Sequence, residues 1–215
     1  MTTIDRLLIS VLVAVMASAA VRLTPADRLD DNSVQVAATI VEPTGVVDPA
    51  TMFGFRGFEP ELEAFVRGRI ELFDEAGLDL PAIRFVNCED SSDCLGRQGM
   101  VIHHAEGAEV RLCDDEVGPW LEWVVIHELA HVWDEYQLTD EARQAFLDLR
   151  GLKTWRDAPW HERGAEHAAE IMVWGLIDRP VRPGHIDHNS CDELLAGYET
   201  LTGQPPLHGF CDICP

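Results

Sequence analysis

The feature that most constrains this chain is an H-E-x-x-H sequence, His127-Glu128-Leu129-Ala130-His131, within a stretch of helical, largely apolar character from Trp120 to Tyr136. Residues four apart lie on one face of a helix, so both imidazoles can reach the same metal ion. Glu128 lies one position further round, where it can hold a water molecule without ligating the metal. This set suits a zinc ion that acidifies water while the carboxylate takes up the proton. The motif requires a third ligand from elsewhere in the chain.

Two downstream glutamates are the candidates for that third ligand. Residues 132–138 contain neither the Gly nor the His that a three-histidine metalloprotease places after the motif. Glu166 and Glu170 instead share one face of a predicted helix. Such E-x-x-x-E pairs often form a solvated helix face, which is the alternative here. If the pair serves the metal, one glutamate can ligate it while the other accepts the free N–H of a ligand histidine.

Here the sequence resembles a known family. The metal helix, with Asp134 and Tyr136 after its second histidine, and the segment Ala165-Glu166-His167-Ala168-Ala169-Glu170 after Arg163 look like the gluzincin branch of zinc metallopeptidases. They are similar in particular to the metalloprotease domain of the anthrax lethal factor type. The resemblance covers residues 120–171.

The resemblance assigns a role to each residue of the motif. It implies that His127, His131 and Glu166 ligate zinc, that Glu128 is the general base, and that Glu170 supports a ligand histidine. One departure is that the family places a catalytic Tyr shortly before the ligand Glu, whereas this chain has no Tyr there. Three other residues near that position are candidates to stabilise the oxyanion: Trp160, His161 and Arg163.

Helices and strands alternate in an order that predicts an α+β fold. Apolar spacing predicts a helix over Glu59–Ala76 that Gly77 ends, a strand over Ile83–Val86, and a hairpin formed by 99–104 and 108–113. Four further helices are expected, beginning at Pro119, Thr139, about Glu162, and Ser190 with a capping box to Glu193. This is the order of a zincin-like domain, in which the strand nearest the metal pairs with an extended peptide substrate.

The first residues have the pattern of a signal peptide. Arg6 precedes the apolar run Leu7–Val15, and Ala17-Ser18-Ala19 offers small residues at the positions that signal peptidase reads. The predicted organisation is therefore a signal peptide over 1–19, an extended or disordered lead-in over 20–50, and a metallopeptidase domain over 51–215. The mature protein is expected to be secreted or extracytoplasmic, without stable membrane association. An uncleaved leader that serves as a membrane anchor is the alternative.

Six cysteines fit an oxidising compartment, where they predict up to three disulfides. A bond between Cys88 and Cys94 would close a short loop. The C-x-x-C pair of Cys211 and Cys214 near the end of the chain is expected to form a disulfide that ties down the tail rather than a redox or zinc site. The spacing leaves the full connectivity open.

The charge of the chain disfavours some classes of binding partner. The formal net charge is −22, and the 16 basic residues include a single lysine, Lys153. Such an acidic chain is repelled by nucleic acid and by anionic membranes. A peptide or protein substrate is the partner that the motif predicts.

Other polar clusters in the sequence have two interpretations. The remaining histidines could form a second metal site, and two acidic segments could bind calcium, but a surface or hydrogen-bonded role is preferred for all of them. These residues are His103, His104, His161, His167, His185 and His188, and the acidic segments Glu89-Asp90 with Asp93 and Asp114-Asp115-Glu116.

The sequence thus predicts an exported zinc metalloendopeptidase that hydrolyses peptide bonds with a zinc-activated water and with Glu128 as general base. The alternative is an exported, catalytically inactive binding or structural protein whose fold is stabilised by zinc. A zinc ion with an open fourth position facing a groove favours the first, and a zinc closed by a fourth protein ligand favours the second.

Overall fold

The computed structural model describes residues 52–88 and 91–211. The predicted leader and lead-in, the acidic pair Glu89-Asp90 and Cys214 lie outside the described residues. Within them, no helix combines the length and hydrophobicity needed to cross a membrane.

The described chain has an α+β fold, as the sequence predicts. Its strands are β1 (Phe53–Arg56), β2 (Ile83–Asn87), β3 (Gly99–His104) and β4 (Gly107–Leu112). Its α-helices are α1 (Pro60–Glu75), α2 (Pro119–Gln137), α3 (Asp140–Arg150), α4 (Gly164–Leu176) and α5 (Cys191–Thr202). Short 3-10 turns cover Ser91–Cys94 and Trp160–Glu162.

The four strands form one mixed sheet in the order β1-β2-β4-β3. The β1–β2 and β2–β4 pairs are parallel, whereas β3 and β4 form the predicted antiparallel hairpin, with Gly99 opposite Leu112 and His104 opposite Gly107. As a result β3 is an edge strand with one side free of strand pairing within this sheet. It lies against α2, so the edge of the sheet and the H-E-x-x-H helix are neighbours.

The helix ends follow local chemistry that the sequence shows. Gly77 ends α1 with a left-handed φ of 67°, a conformation that costs glycine little. The Thr139 hydroxyl accepts the Ala142 N–H at 3.2 Å and caps α3. At α5 the Glu193 carboxylate accepts the Ser190 backbone N–H at 3.1 Å, as the predicted capping box requires.

Tyr136 joins the last turn of α2 to the tip of the hairpin. Its hydroxyl accepts the His104 backbone N–H at 3.2 Å and lies 2.6 Å from the His104 carbonyl oxygen, and it also contacts the Gly107 carbonyl oxygen. Asp134, two residues earlier and 2% exposed, accepts hydrogen bonds from Arg143 at 3.0 Å and from the Trp155 indole at 2.9 Å. These contacts fix α2 against the edge strand on one side and against the chain leading to α4 on the other.

One continuous core connects the sheet with the helices. Every residue of α4 is buried, including the two glutamates of its E-x-x-x-E sequence. Glu166 is 8% exposed and Glu170 is 1% exposed. The glutamates therefore do not form a solvated helix face. Buried carboxylates need a specific partner, because burying an unpaired charge is costly.

Cys94 and Cys113 form a disulfide. It joins the 3-10 turn before β3 to the residue after β4. The sequence left the connectivity open, with a short Cys88–Cys94 loop as one possibility; the sheet instead brings Cys113 beside Cys94, because the parallel strands β2 and β4 end at the same edge. The Cys88 sulfur lies within 4.8 Å of both bonded sulfurs.

Candidate metal centre

Three side chains of α2 and α4 converge on one point. The Nε2 atom of His127 lies 3.2 Å from the Nε2 atom of His131 and 3.2 Å from the Oε2 atom of Glu166. The His131 Nε2 atom lies 3.3 Å from the same oxygen. The two histidines meet because they are one helical turn apart, and Glu166 reaches them because α4 packs along α2.

The size of this triangle fits a tetrahedral metal ion. Zinc holds histidine nitrogens and carboxylate oxygens at roughly 2.0–2.1 Å, so adjacent ligands of a tetrahedral site are about 3.3 Å apart. The three observed separations of 3.2, 3.2 and 3.3 Å agree with that value. The donor set of two imidazoles and one carboxylate is also one that zinc uses at catalytic sites. The residues present therefore fit a zinc ion, which would be held by His127, His131 and Glu166.

The electrostatics of the triangle favour a positive charge at its centre. Burial lowers the pKa of His127 to about 4 and keeps that ring neutral at physiological pH. For His131 burial acts in the same direction, but hydrogen bonding to Glu166 and the nearby Glu128 carboxylate outweigh it and raise the pKa. Burial likewise opposes ionisation of Glu166, yet the two imidazoles hold the pKa of this carboxyl well below its ordinary value. An ionised carboxylate beside buried imidazoles attracts a proton or a metal cation.

Glu128 lies beside this triangle in a confined position. Burial raises its pKa to about 7, with Glu166 adding to the effect and with His131 and Arg97 opposing it. A carboxyl with a pKa near neutrality suits a group that accepts and returns a proton. Gly99, at the start of β3, packs directly against it: a Cβ there would lie 2.7 Å from both Cγ and Oε1 of Glu128.

Glu170 contacts the ligand set through a tryptophan. The Trp123 side chain lies beside Glu170, where it lowers the pKa of that carboxyl against the larger effect of burial, and its ring stacks on the His127 ring with centroids 4.6 Å apart. Neither His127 Nδ1 nor Glu170 Oε1 has a hydrogen-bond partner among the described residues. The direct hydrogen bond expected between Glu170 and a ligand histidine is thus not formed in this structure. Glu170 instead lies beside the indole that covers His127.

The triangle opens into a cleft of about 620 Å³. β3 forms one wall, and Trp120, Trp123 and Trp160 contribute aromatic surface, with Trp120 47% and Trp160 36% exposed. Besides these and the residues already discussed, the lining side chains include Arg97, Gln98, Met100, Val101, His103, Arg156, Arg163 and His185. A cleft beside three converging ligands leaves room for a further ligand or substrate.

The three candidates for oxyanion stabilisation differ in position. Trp160 and Arg163 line the cleft, whereas His161 is not among its lining residues and its side chain is 67% exposed. His185, for which the sequence favoured a surface role, also lines the cleft and packs edge-on against Trp160 with centroids 5.7 Å apart. No local sequence signal identifies His185, because a Pro/Gly-rich connection after α4 carries it to the metal centre.

Among the described residues, the other histidines do not form a second metal site, in agreement with the surface or hydrogen-bonded role that the sequence favours. Within residues 52–88 and 91–211, the two groups of three or more potential ligands are the His127–His131–Glu166 triangle and the sulfurs of Cys88, Cys94 and Cys113. His188 pairs with Glu193 at 3.1 Å, and His167 is hydrogen-bonded to the His161 carbonyl at 2.9 Å. The segment Asp114–Glu116 does not belong to either group.

Comparisons with protein-family models, with curated proteins and with solved structures returned no match to this chain.

Proposed function

We propose that this chain is a zinc-dependent endopeptidase with a zincin-like fold of the gluzincin type. The observation that carries the proposal is the triangle of His127, His131 and Glu166 at the floor of an open cleft, with Glu128 beside it. Bound there, zinc would polarise the scissile carbonyl and lower the pKa of a water molecule.

The edge strand supports a peptide as the substrate. β3 lines the cleft. Within the described sheet it pairs with β4 along one side, and its other side is the edge of the sheet. An extended peptide can add to such an edge through main-chain hydrogen bonds, which bind a backbone largely regardless of its side chains. Tyr136 holds the hairpin tip against α2, so the edge and the metal ligands keep a fixed relation.

Glu128 is the proposed general base. Its carboxylate accepts the proton of the attacking water and passes that proton to the leaving amine. Glu128 packs against Gly99 at the start of β3 and lines the same cleft as the ligand triangle, so a peptide bound along β3 would pass next to it. Trp160, Arg163 and His185 carry N–H donors on the cleft wall, and these can stabilise the oxyanion in place of the missing tyrosine.

The open cleft distinguishes this proposal from a purely structural zinc protein. Structural zinc sites are closed by four protein ligands, whereas catalytic sites keep a position for water or substrate. In the described part of the chain three ligand atoms converge, and the space next to them is the cleft. Export through the predicted leader remains part of the proposal and agrees with the Cys94–Cys113 disulfide, since such bonds persist in oxidising compartments.

Replacing Glu128 with Gln tests the proposal. The zinc-loaded full chain is incubated with an unfolded protein substrate, and cleavage is followed by mass spectrometry of the fragments. We expect the wild type to cleave peptide bonds and Glu128→Gln to lose at least about a hundredfold in rate, a loss typical of removing a general base. Zinc content should be equal in the two proteins. Cleavage by Glu128→Gln at the wild-type rate would refute the assignment.

A further inference from the structure

The charge of the cleft is opposite to that of the chain. Three arginines line it, whereas the chain as a whole has a formal net charge of −22. The carboxylates that line the cleft are Glu128 and Glu166, and both have roles at the proposed metal centre. The cationic side chains are therefore concentrated where a substrate would lie.

Two of these arginines are held by groups of the protein itself. Arg156 pairs with Glu135 at 2.7 Å and with Asp134 at 3.3 Å. Arg163 donates to the Ala158 carbonyl at 2.6 Å and lies 3.7 Å from Glu166. Their charge is largely compensated before any ligand arrives.

Arg97 differs from both. It is exposed at the cleft, and within the described residues its guanidinium forms neither an ion pair nor a hydrogen bond, although its charge acts on the Glu128 carboxyl. Its backbone is nevertheless fixed: the Arg97 N–H donates to the Cys94 carbonyl at 3.0 Å, and the Cys113 N–H donates to the Gln98 carbonyl at 2.8 Å. The Cys94–Cys113 disulfide closes the same segment.

The position of Arg97 relates it to the proposed chemistry. It precedes by two residues Gly99, which packs on Glu128 and begins the edge strand. A peptide lying along β3 would therefore pass Arg97 close to the proposed general base. A guanidinium whose N–H donors are not used by the described residues can bind a carboxylate, because its fork of donors matches the two oxygens.

We propose that Arg97 is a specificity residue that binds a carboxylate of the substrate. This inference rests on the proposed peptidase function and names its substrate class: peptides that place a carboxylate near the bond to be cut. The carboxylate has two sources, an acidic side chain or the free C-terminus of a short peptide.

Binding measurements separate these sources without relying on turnover. The full chain carrying Glu128→Gln and loaded with zinc is titrated with three pools of short peptides, randomised except at one central position. In the first pool the central residue is Glu and both peptide ends are blocked. In the second pool it is Gln and both ends are blocked. In the third pool it is Gln and the C-terminal carboxylate is free. Quenching of the cleft tryptophans reports binding. We expect the Glu pool or the free-carboxylate pool to bind about tenfold more tightly than the blocked Gln pool, the value of one exposed charge-assisted contact.

Variants assign the preference to Arg97. In the same background, Arg97→Gln should abolish the difference between pools, and Arg97→Glu should shift preference to a pool with Lys at the central position. Arg56→Gln, with the same charge change on β1 at the opposite edge of the sheet, is the matched control and should keep the wild-type preference. Equal binding of the pools, absence of binding, or a preference that survives Arg97→Gln would overturn the inference.

The two failures are distinguishable. If the wild type cleaves peptides but none of these preferences is observed, the inference about Arg97 is wrong and the proposed function stands. If the pools are distinguished but the wild type cleaves none of them, the site binds carboxylates and the peptidase assignment is wrong.

Discussion

At the scale of single residues, position 99 controls the placement of Glu128. A Cβ at Gly99 would lie 2.7 Å from the Glu128 side chain and 2.9 Å from Val124 Cγ1, closer than real Cβ atoms approach. Gly99→Ala must therefore displace the proposed general base. Since a misplacement of about 1 Å can cost about a hundredfold in rate, we expect kcat/KM for peptide cleavage to fall by about that factor.

The same substitution elsewhere provides the control. Gly68 lies within α1, where an added Cβ would meet nothing within 4 Å, so Gly68→Ala should leave cleavage unchanged. Zinc content of Gly99→Ala should remain that of the wild type, because Glu128 is not a proposed ligand. Full activity of Gly99→Ala would show that Glu128 does not act from the position described.

Glu170 makes stability depend on pH. Burial raises its pKa to about 7 from an ordinary value of 4.5, so the folded state binds this proton more tightly than the unfolded state. The stabilisation is complete below about pH 4.5 and is lost as the pH rises through 7. Glu170→Gln, which imitates the neutral acid, should therefore be more stable than the wild type at pH 8, by about 2–3 kcal/mol, with no difference near pH 4.5.

Urea unfolding of the chelator-treated proteins at several pH values measures this difference. The matched control is Glu199→Gln on α5, which makes the same chemical change at an exposed position. A Glu170→Gln variant that is less stable than the wild type at pH 8 would show that the ionised carboxylate stabilises the fold, contrary to the burial argument.

The residues of the site differ in how far the sequence could predict them. His127, Glu128 and His131 follow from spacing on one helix, which is a local property. Glu166 required the resemblance to choose it over Glu170, since both share a helix face. Arg97 and His185 were not predicted as cleft residues, because each reaches the cleft through the path of an irregular segment.

At the scale of secondary-structure elements, the Cys94–Cys113 disulfide holds the segment that carries Arg97 and leads into β3. The bridged residues are 19 positions apart, and closing a loop of that size stabilises the folded state by about 3 kcal/mol. Replacing both cysteines with serine should lower the free energy of unfolding by about that amount, as measured by urea denaturation.

Both cysteines are replaced together because the Cys88 sulfur lies within 4.8 Å of each and could form a substitute bond with whichever remained. Cys88→Ser alone is the control, and it should keep most of the stability because the native bond is intact. Unchanged stability of the double variant would show that the disulfide does not constrain this segment.

Local patterns predicted most elements, and the misses have physical reasons. The helices of the described chain and the β3–β4 hairpin follow from apolar periodicity, caps and turn residues. The sequence did not predict β1, since Phe53-Gly54-Phe55-Arg56 is short and contains glycine, and its strand is stabilised by parallel pairing with β2. The pairing of Cys94 was missed for the same reason, because sheet order rather than sequence distance brings the sulfurs together.

At the scale of the whole molecule, an acidic chain carries a cleft, lined by three arginines, that is built around the two packed helices α2 and α4. The packing of α4 on α2 buries α4 and brings its Glu166 to the two histidines of α2. The negative chain disfavours nucleic acid as a partner, whereas Arg97 in the cleft favours a ligand with a carboxylate.

Zinc binding by wild type and Glu166→Ala tests the central claim most directly. Each chelator-stripped chain is titrated with zinc under non-reducing conditions, because reduction would free the sulfurs near Cys88 to compete for metal. Glu162→Ala, which removes an exposed glutamate just before α4, is the matched control. We predict one zinc per chain for the wild type and the control, and at least about a hundredfold weaker binding for Glu166→Ala. Unchanged zinc affinity in Glu166→Ala would contradict the metal centre described here.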